Sequence, residues 1–248
     1  MAITPPESGD VVVGQTFQAP MWPDIDLSDC VFQACVFTDG DFDSADLRGA
    51  RFLKCTLTRC RFTHADARET VFDETVTADA STQRGVDFGF ARLEEARFSR
   101  CELTQARFEG AELYAAAMVD CHLLGARFTR AKFFRAFGRS IVRAAMSFAG
   151  SNLELADLAG VNLEGCDLSR VRLRESDLTD ANLEAANLMD ADLFQAVIDG
   201  ARLSRADLRG AQISGLDLRR LGSYQDLKIG PDQQFMLLEA LGVDVTPD

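Results

Sequence analysis

The sequence predicts an all-β solenoid, a chain that turns a corner every five residues. Two regularities predict it: large apolar residues recur with period five, and small residues recur two places before them. With i as the large apolar position, steps of five from Phe88 to Leu218 visit 27 positions, of which 22 hold Leu or Phe. Met118, Ile198 and Ile213 keep the slot apolar, and only Gly138 and Arg143 break it. With 47% apolar residues in the whole chain, such regularity does not arise by chance. Period five matches neither the 3.6-residue repeat of a helix nor the two-residue repeat of a strand.

The elements follow in chain order. Residues 1–20 are expected to cap the first coil, with the first ten disordered. Residues 21–222 are expected to form the solenoid. Its first block places Phe17, Trp22, Leu27, Phe32, Phe37, Phe42, Leu47, Phe52, Leu57, Phe62 and Phe72 at i, with Ala67 as the exception. In the second block, Val86 to Leu216, position i−2 is Ala in 16 of 27 cases, and most others are Cys, Ser or Val. A large residue at i beside a small one at i−2 suits a narrow, filled interior. Each buried Leu or Phe is worth roughly 1.5–3 kcal/mol, most of it offset by chain entropy. The Phe-rich first half should pack differently from the Leu-rich second half.

Two loops interrupt the period, at about 73–87 and 134–147. The first contains a one-residue phase slip among small polar residues. In the second, Gly138 and Arg143 do not suit the core, and Ile141 and Met146 are too large for i−2. Residues 223–248 change character. Gly230, Pro231 and Asp232 start a helix, Gln233 to Leu241 continue it, and Gly242 ends it. Phe235, Met236, Leu237, Leu238 and Leu241 make it apolar around most of its circumference, so two faces need cover. One should close the end of the solenoid and the other should meet a second copy of the chain. Val243, Asp244 and Val245 are expected to add a short strand.

The triplets Ala181-Asn182-Leu183, Ala191-Asp192-Leu193 and Ala206-Asp207-Leu208 spell out the repeat literally. In this the sequence resembles the pentapeptide repeat family, whose motif is A(D/N)LXX. The resemblance implies a right-handed quadrilateral β-helix with four pentapeptides per square coil. Residues 20 apart then stack at about 4.8 Å, the inter-strand spacing. Leucine-rich repeats space their leucines unevenly, and a left-handed β-helix needs period six. In the family, the Asp or Asn at i−1 hydrogen-bonds the turn backbone.

Charge and composition exclude several functions. With 26 basic and 39 acidic residues the net charge is −13, which argues against binding nucleic acid. No run of 18 apolar residues exists, so no membrane span is expected. Met1 to Pro23 has the pattern of no secretory leader, which makes the cytoplasm the expected compartment. All seven cysteines fall at i−2, as small buried thiols rather than zinc ligands. Stacked pairs such as Cys35 with Cys55 should stay reduced. His64 and His122 point outward. No catalytic, metal or cofactor site is expected, and the chain is not expected to be an enzyme.

The ending Gly215-Leu216-Asp217-Leu218-Arg219-Arg220, Leu227-Lys228-Ile229, Gln234 and Leu237 to Val243 resembles the Qnr quinolone-resistance proteins. So does Leu27-Ser28-Asp29-Cys30-Val31-Phe32. The resemblance implies a homodimeric rod that binds DNA gyrase and topoisomerase IV and protects them from fluoroquinolones, with two active loops. Segment charges fit a DNA mimic. Residues 1–80 carry −8, 81–150 carry +4, 151–222 carry −5 and 223–248 carry −4. The expected acidic face has Asp157, Asp177 and Asp217 in one column, with Asp180 and Asp199 beside it. The expected loop contacts are Arg84, Arg135, Phe137, Arg139 and Arg143. The expected dimer interface is Phe235, Met236, Leu238 and Leu241. The alternative is an interaction scaffold for an unrelated protein partner.

Overall fold

The computed structural model describes residues 5–77, 84–137, 140–142 and 146–244. It is a parallel β-solenoid closed by one short C-terminal helix. Its strands are β1 (Val11–Val13), β2 (Thr16–Gln18), β3 (Val31–Gln33), β4 (Val36–Thr38), β5 (Arg51–Leu53), β6 (Thr56–Thr58), β7 (Val71–Asp73), β8 (Arg97–Ser99), β9 (Ala117–Val119), β10 (Arg135–Phe137) and β11 (Ser140–Val142). One side of the rod is the parallel sheet β1-β3-β5-β7-β8-β9, and the adjacent side begins with β2-β4-β6. The other sides, and the later coils, consist of single parallel bridges such as Asp46↔Asp66, Asp157↔Asp177 and Asn182↔Arg202. Four columns of bridges recur within one 20-residue coil, which makes the section a square.

Three residues per side suffice because each corner has its own closure. The chain passes from i to the next i−2 through a turn. The N–H of Ala186 donates to the carbonyl of Leu183 at 3.1 Å, and that of Ala156 to Leu153 at 3.1 Å. The residue at i+2 takes the left-handed conformation, as at Asp180 (φ 56°) and Gly200 (φ 71°). Single residues of this kind are tolerated where the ladder holds both neighbours. Leu183 donates to Arg202 at 2.8 Å and Asn182 to Val161 at 2.8 Å, so every side bonds to the coils on both sides of it.

The interior is the expected ladder. Phe32, Phe52, Phe72 and Phe98 stack with ring centroids 5.0, 5.0 and 4.6 Å apart. A second stack runs Phe42, Phe62, Phe88, Phe108 and Phe128, at 4.7, 5.2, 5.3 and 4.9 Å. The two stacks meet edge to face, for example Phe72 with Phe88 at 76°. Beyond Phe148 the slot belongs to Leu, and Leu153 through Leu188 are fully buried. The seven cysteines are buried free thiols.

Several boundaries differ from the sequence reading. The ladder begins at Val11 rather than near residue 21, because β1 and β2 pair with β3 and β4. Residues 5–10 are also tied down: Gly9 donates to the carbonyl of Ser28 at 2.9 Å. Residues 1–4 lie outside those described.

The first interruption is shorter than 73–87. Thr75 fills an i−2 slot and Thr77 an i slot, each 1% exposed, and Val86 resumes the core. Residues 78–83 lie outside those described. The second interruption is shorter than 134–147. Met146, taken as too large for i−2, is fully buried there between Ala116 and Cys166, and Ser147 bridges Ala117 and Asp167. Met is unbranched and conforms to the space left along the column. Within this interruption β10 and β11 form an antiparallel hairpin, with Ala136 opposite Ile141.

At the other end, a 3-10 turn (Pro231–Gln233) leads into α1 (Gln234–Ala240), and Gly242 follows with φ 80°. Gln233 is buried and donates to the carbonyls of Leu208 and Ala211, both at 2.7 Å. It thereby satisfies carbonyls of the last coil that no further coil would reach. Val243 and Asp244 form no strand, and Val245 lies outside the described residues.

Candidate functional site

The surface is organised by the residue at i−1. Its side chain accepts the N–H of i+1: Asp157 from Ala159 at 3.2 Å, Asp167 from Ser169 at 3.1 Å and Asp177 from Thr179 at 2.9 Å. Asn182 does the same for Glu184 at 3.1 Å. Asp157, Asp177 and Asp217 of the expected face are thus held in fixed directions, tied to the corner that follows each of them.

Asp157 and Asp177 do stack, through the bridges Arg127↔Asp157↔Asp177↔Val197. The next level is the exposed Val197, and the described pairing of the column ends there, short of Asp217. Asp180 lies one corner away, exposed, with its carboxylate over Gly200. Among the described residues none of Asp157, Asp177 and Asp180 has a cation within ion-pair distance.

Asp199 and Asp217 differ. Asp199 receives Nε of Arg220 at 2.6 Å together with its Nη2. Asp217 receives Arg219 through Nε at 2.9 Å and Nη2 at 2.8 Å. The hydrogen bond from Arg219 holds the Asp217 carboxyl at about 2. That from Arg220 lowers Asp199 as well. Both acids stay ionised, and each charge is met by its own guanidinium.

A second acidic column escaped the sequence reading. Asp26, Asp46 and Asp66 are stacked by consecutive bridges. Arg48 and Arg68 fold back onto Asp46 and Asp66 through paired bonds, at 2.8 and 2.5 Å for the first and 2.7 Å for each bond of the second. Asp207 and Arg209 repeat the fork. The signal is legible: Asp-x-Arg places acid and base on the same short side, so an Asp at i−1 followed by Arg at i+1 projects little field. Asp157-Leu158-Ala159 and Asp177-Leu178-Thr179 lack that arginine.

The expected loop contacts divide. Arg84 is described and exposed, beside the mouth of the first interruption. Arg135 and Phe137 lie on β10, opposite Val142 and Ser140. Arg139 and Arg143 fall outside the described residues.

On α1, Leu237 is buried against the solenoid, and Met236 packs there too, in contact with Ser214 Oγ at 3.5 Å. Phe235, Leu238 and Leu241 face solvent with 47%, 37% and 38% exposure, and Val243, just beyond the helix, is exposed too. The open apolar face therefore excludes Met236. Among the described residues no cluster of three or more His, Cys, Asp or Glu side chains could hold a metal, and no helix is long and apolar enough to cross a membrane.

A square coil with Leu or Phe inside, an Asp or Asn tie at i−1 and Ala at i−2 is the architecture of one class of protein, the pentapeptide repeat solenoids. The family's repeat matches in 8 copies, over residues 25–63, 84–118, 151–188 and 186–220, and the chain belongs to the pentapeptide repeat family. Among solved structures, full-length QnrB1, described as a plasmid-mediated fluoroquinolone resistance protein, superposes with a TM-score of 0.73. It is 22% identical, over 92% of this chain and 100% of that one. A trypsin-treated variant of the same protein gives 0.72 at 22% identity, over 96% and 99%. HetL, a pentapeptide repeat protein involved in heterocyst differentiation regulation from the cyanobacterium Nostoc sp. strain PCC 7120, gives 0.52 at 21% identity, over 87% of each chain. These likenesses show a shared fold. No curated protein sequence matches the chain.

Proposed function

We propose that the chain is a non-enzymatic binding protein for a type II topoisomerase, DNA gyrase or topoisomerase IV, and that it protects the enzyme from fluoroquinolones by standing in for DNA. The reading places it in the cytoplasm, as a homodimer joined through the open face of α1. The observation that carries it is the likeness to QnrB1 over 92% of this chain and 100% of that one. Asp157, Asp177 and Asp180 support it as a patch of carboxylates with no cation within ion-pair distance among the described residues. Ten coils at the inter-strand spacing make a rod roughly 50 Å long, and two rods end to end approach 100 Å. A DNA-binding saddle would attract such a rod by its sign and form. The test is gyrase supercoiling in the presence of ciprofloxacin: the purified chain should restore supercoiling at stoichiometric amounts. Unchanged inhibition with a folded chain refutes the reading.

One observation favours a second reading, that of a scaffold for an unrelated protein partner. Arginine forks neutralise Asp46, Asp66, Asp199, Asp207 and Asp217, which thins the field a DNA mimic needs. Capture of a single non-topoisomerase partner, with no gyrase in the same eluate, would favour the scaffold.

A further inference from the structure

The groove beside the first interruption runs against the acidity of the rest of the chain. Arg59, Arg61, Arg84, Arg107 and Arg127 converge on a cavity of about 620 Å³. Only two carboxylates, Asp39 and Asp87, share its lining, a surplus of three positive charges. The register produces this. The i−1 column on this side runs Asp41, Arg61, Asp87, Arg107, Arg127 by successive bridges, and Arg107 and Arg127 are its one pair of adjacent cations among the described levels. The first interruption re-enters the coil at the same place and brings Arg84 alongside. Gly85 makes that approach possible, since a Cβ there would collide with the backbone of Gln105 and Ala106.

The arginines are not equally engaged. Arg59 bonds Asp39 at 2.6 and 2.8 Å, and Arg61 bonds Asp41 at 2.6 and 3.1 Å. Arg107 stands 3.8 Å from Asp87 and 3.8 Å from Glu109, too far for a hydrogen bond to either. Arg84 and Arg127 have no carboxylate within 4.0 Å among the described residues. Each is exposed. At physiological ionic strength the Debye length is about 8 Å, so the acidic ends of the rod are screened from the groove, and Asp157, one rung beyond Arg127, bounds its cationic stretch.

The geometry points to this groove as a binding site for a small oligophosphate ligand of the nucleoside di- or triphosphate class, with the phosphates held by Arg84, Arg107 and Arg127. A guanidinium presents a planar fork that matches phosphate oxygens two at a time. The cavity falls within the roughly 300–1,000 Å³ range of small-molecule sites. Its surplus charge suits a di- or triphosphate. Asp39 and Asp87 add acceptors at the edge, which a sugar hydroxyl can use and bare pyrophosphate cannot.

Calorimetric titration of the full-length chain at 0.15 M salt tests this, with ATP in one arm and pyrophosphate in the other. One saturable site is expected, with ATP the tighter ligand. Arg84→Gln with Arg127→Gln should weaken both by at least about tenfold. Arg127→Lys, which keeps the charge and loses the fork, should weaken them by less. Arg48→Gln with Arg209→Gln, which opens two engaged forks elsewhere, should leave binding unchanged, and thermal melts confirm that each variant is folded. Absence of saturable binding by the wild-type chain overturns the proposal. So does equal weakening by the Arg48 and Arg209 control, or binding of a short DNA duplex where neither small ligand binds.

Discussion

A side chain at i−2 is small at most levels and sits above a carbonyl of the coil beneath. Several that carry a donor use that carbonyl. Thr70 donates to Leu47 at 2.8 Å, Thr75 to Phe52 at 2.9 Å, Cys55 to Phe32 at 3.2 Å and Ser151 to Met118 at 2.7 Å. That bond explains why Thr and Ser appear in an otherwise apolar slot, and why Cys is frequent there. Burial pushes the thiols of Cys60 and Cys166 up to about 12 and that of Cys55 to about 11. The unfolded thiols ionise near 8.5, so their contribution to stability is complete below that pH and is lost as pH rises toward 12. Urea melts at pH 8 and pH 10.5 should therefore show a loss that shrinks in the Cys60→Ala, Cys166→Ala chain. At the i slot the expectation is larger and insensitive to pH. Leu183 is fully buried, and Leu183→Ala should cost roughly 2–5 kcal/mol because a stacked interior does not collapse around the gap. Glu184, half-buried and paired with Arg202 and Arg205, should cost under about 1 kcal/mol on replacement by Ala. Equal losses in thermal unfolding would contradict the register.

At the scale of elements, the interruptions leave the stack intact. Partners normally lie 20 residues apart, as in Arg59 and Asp39. Across the first interruption the separation is 26, as in Arg92 and Asp66, and across the second it is 30, as in Cys121 and Ser151. The extra lengths are thus six and ten residues, and Phe72 still stacks on Phe98 at 4.6 Å. Deleting residues 135–144 removes ten residues and returns Phe148 to the step of five after Phe133. The shortened chain should melt within a few degrees of the parent and, if the hairpin β10–β11 touches the topoisomerase, lose ciprofloxacin protection in the supercoiling assay. The end element is open to a second test. Phe235→Asp with Leu238→Asp places charges on the exposed face of α1 and should yield monomers by light scattering, since unpaired buried charges disfavour association. Met236 faces inward, so its truncation should lower stability and leave association unchanged. The coils, the cysteine positions and the helix were legible because each follows from periodicity or from a Gly-Pro start signal. The limits of the interruptions were not. Thr77 and Met146 fill core slots through a hydrogen bond or a flexible chain, features that a rule of large and small residues does not register. The charge of the acidic face was half legible: the column of Asp157 and Asp177 could be read from steps of 20 and the fork on Asp217 from its Asp-x-Arg spacing, whereas the arginine that neutralises Asp199, 21 residues on, depends on side-chain direction.

For the whole molecule, net charge and local field part company. The chain carries −13, yet arginine forks quench several of its acids, and the middle of the rod holds a cationic groove. Long-range attraction to a basic saddle, if it operates, falls to Asp157, Asp177 and Asp180. Asn at these three positions keeps the turn acceptor at 157 and 177, as Asn182 shows, so the triple variant should fold. Its association with gyrase should slow and lose part of its salt dependence, measured by stopped-flow mixing between low and physiological ionic strength. An unchanged rate would exclude this patch as the DNA mimic. Asp217→Asn should have the smaller effect, because Arg219 already meets that charge.

The spacings of 20, 26 and 30 residues also set how the rod would behave as a mechanical object. Each coil is held only by the coils above and below it, so a load applied to one end peels coils away in order. An extended chain gains about 3.3–3.6 Å per residue. In an optical trap the record should be a ladder of nearly equal increments of roughly 70 Å, interrupted by one of roughly 90 Å and one of roughly 100 Å. The position of the two long steps along the record reports the direction of peeling. The short side chains of the Leu-rich half, without ring stacks to break, should yield at lower force than the columns of Phe.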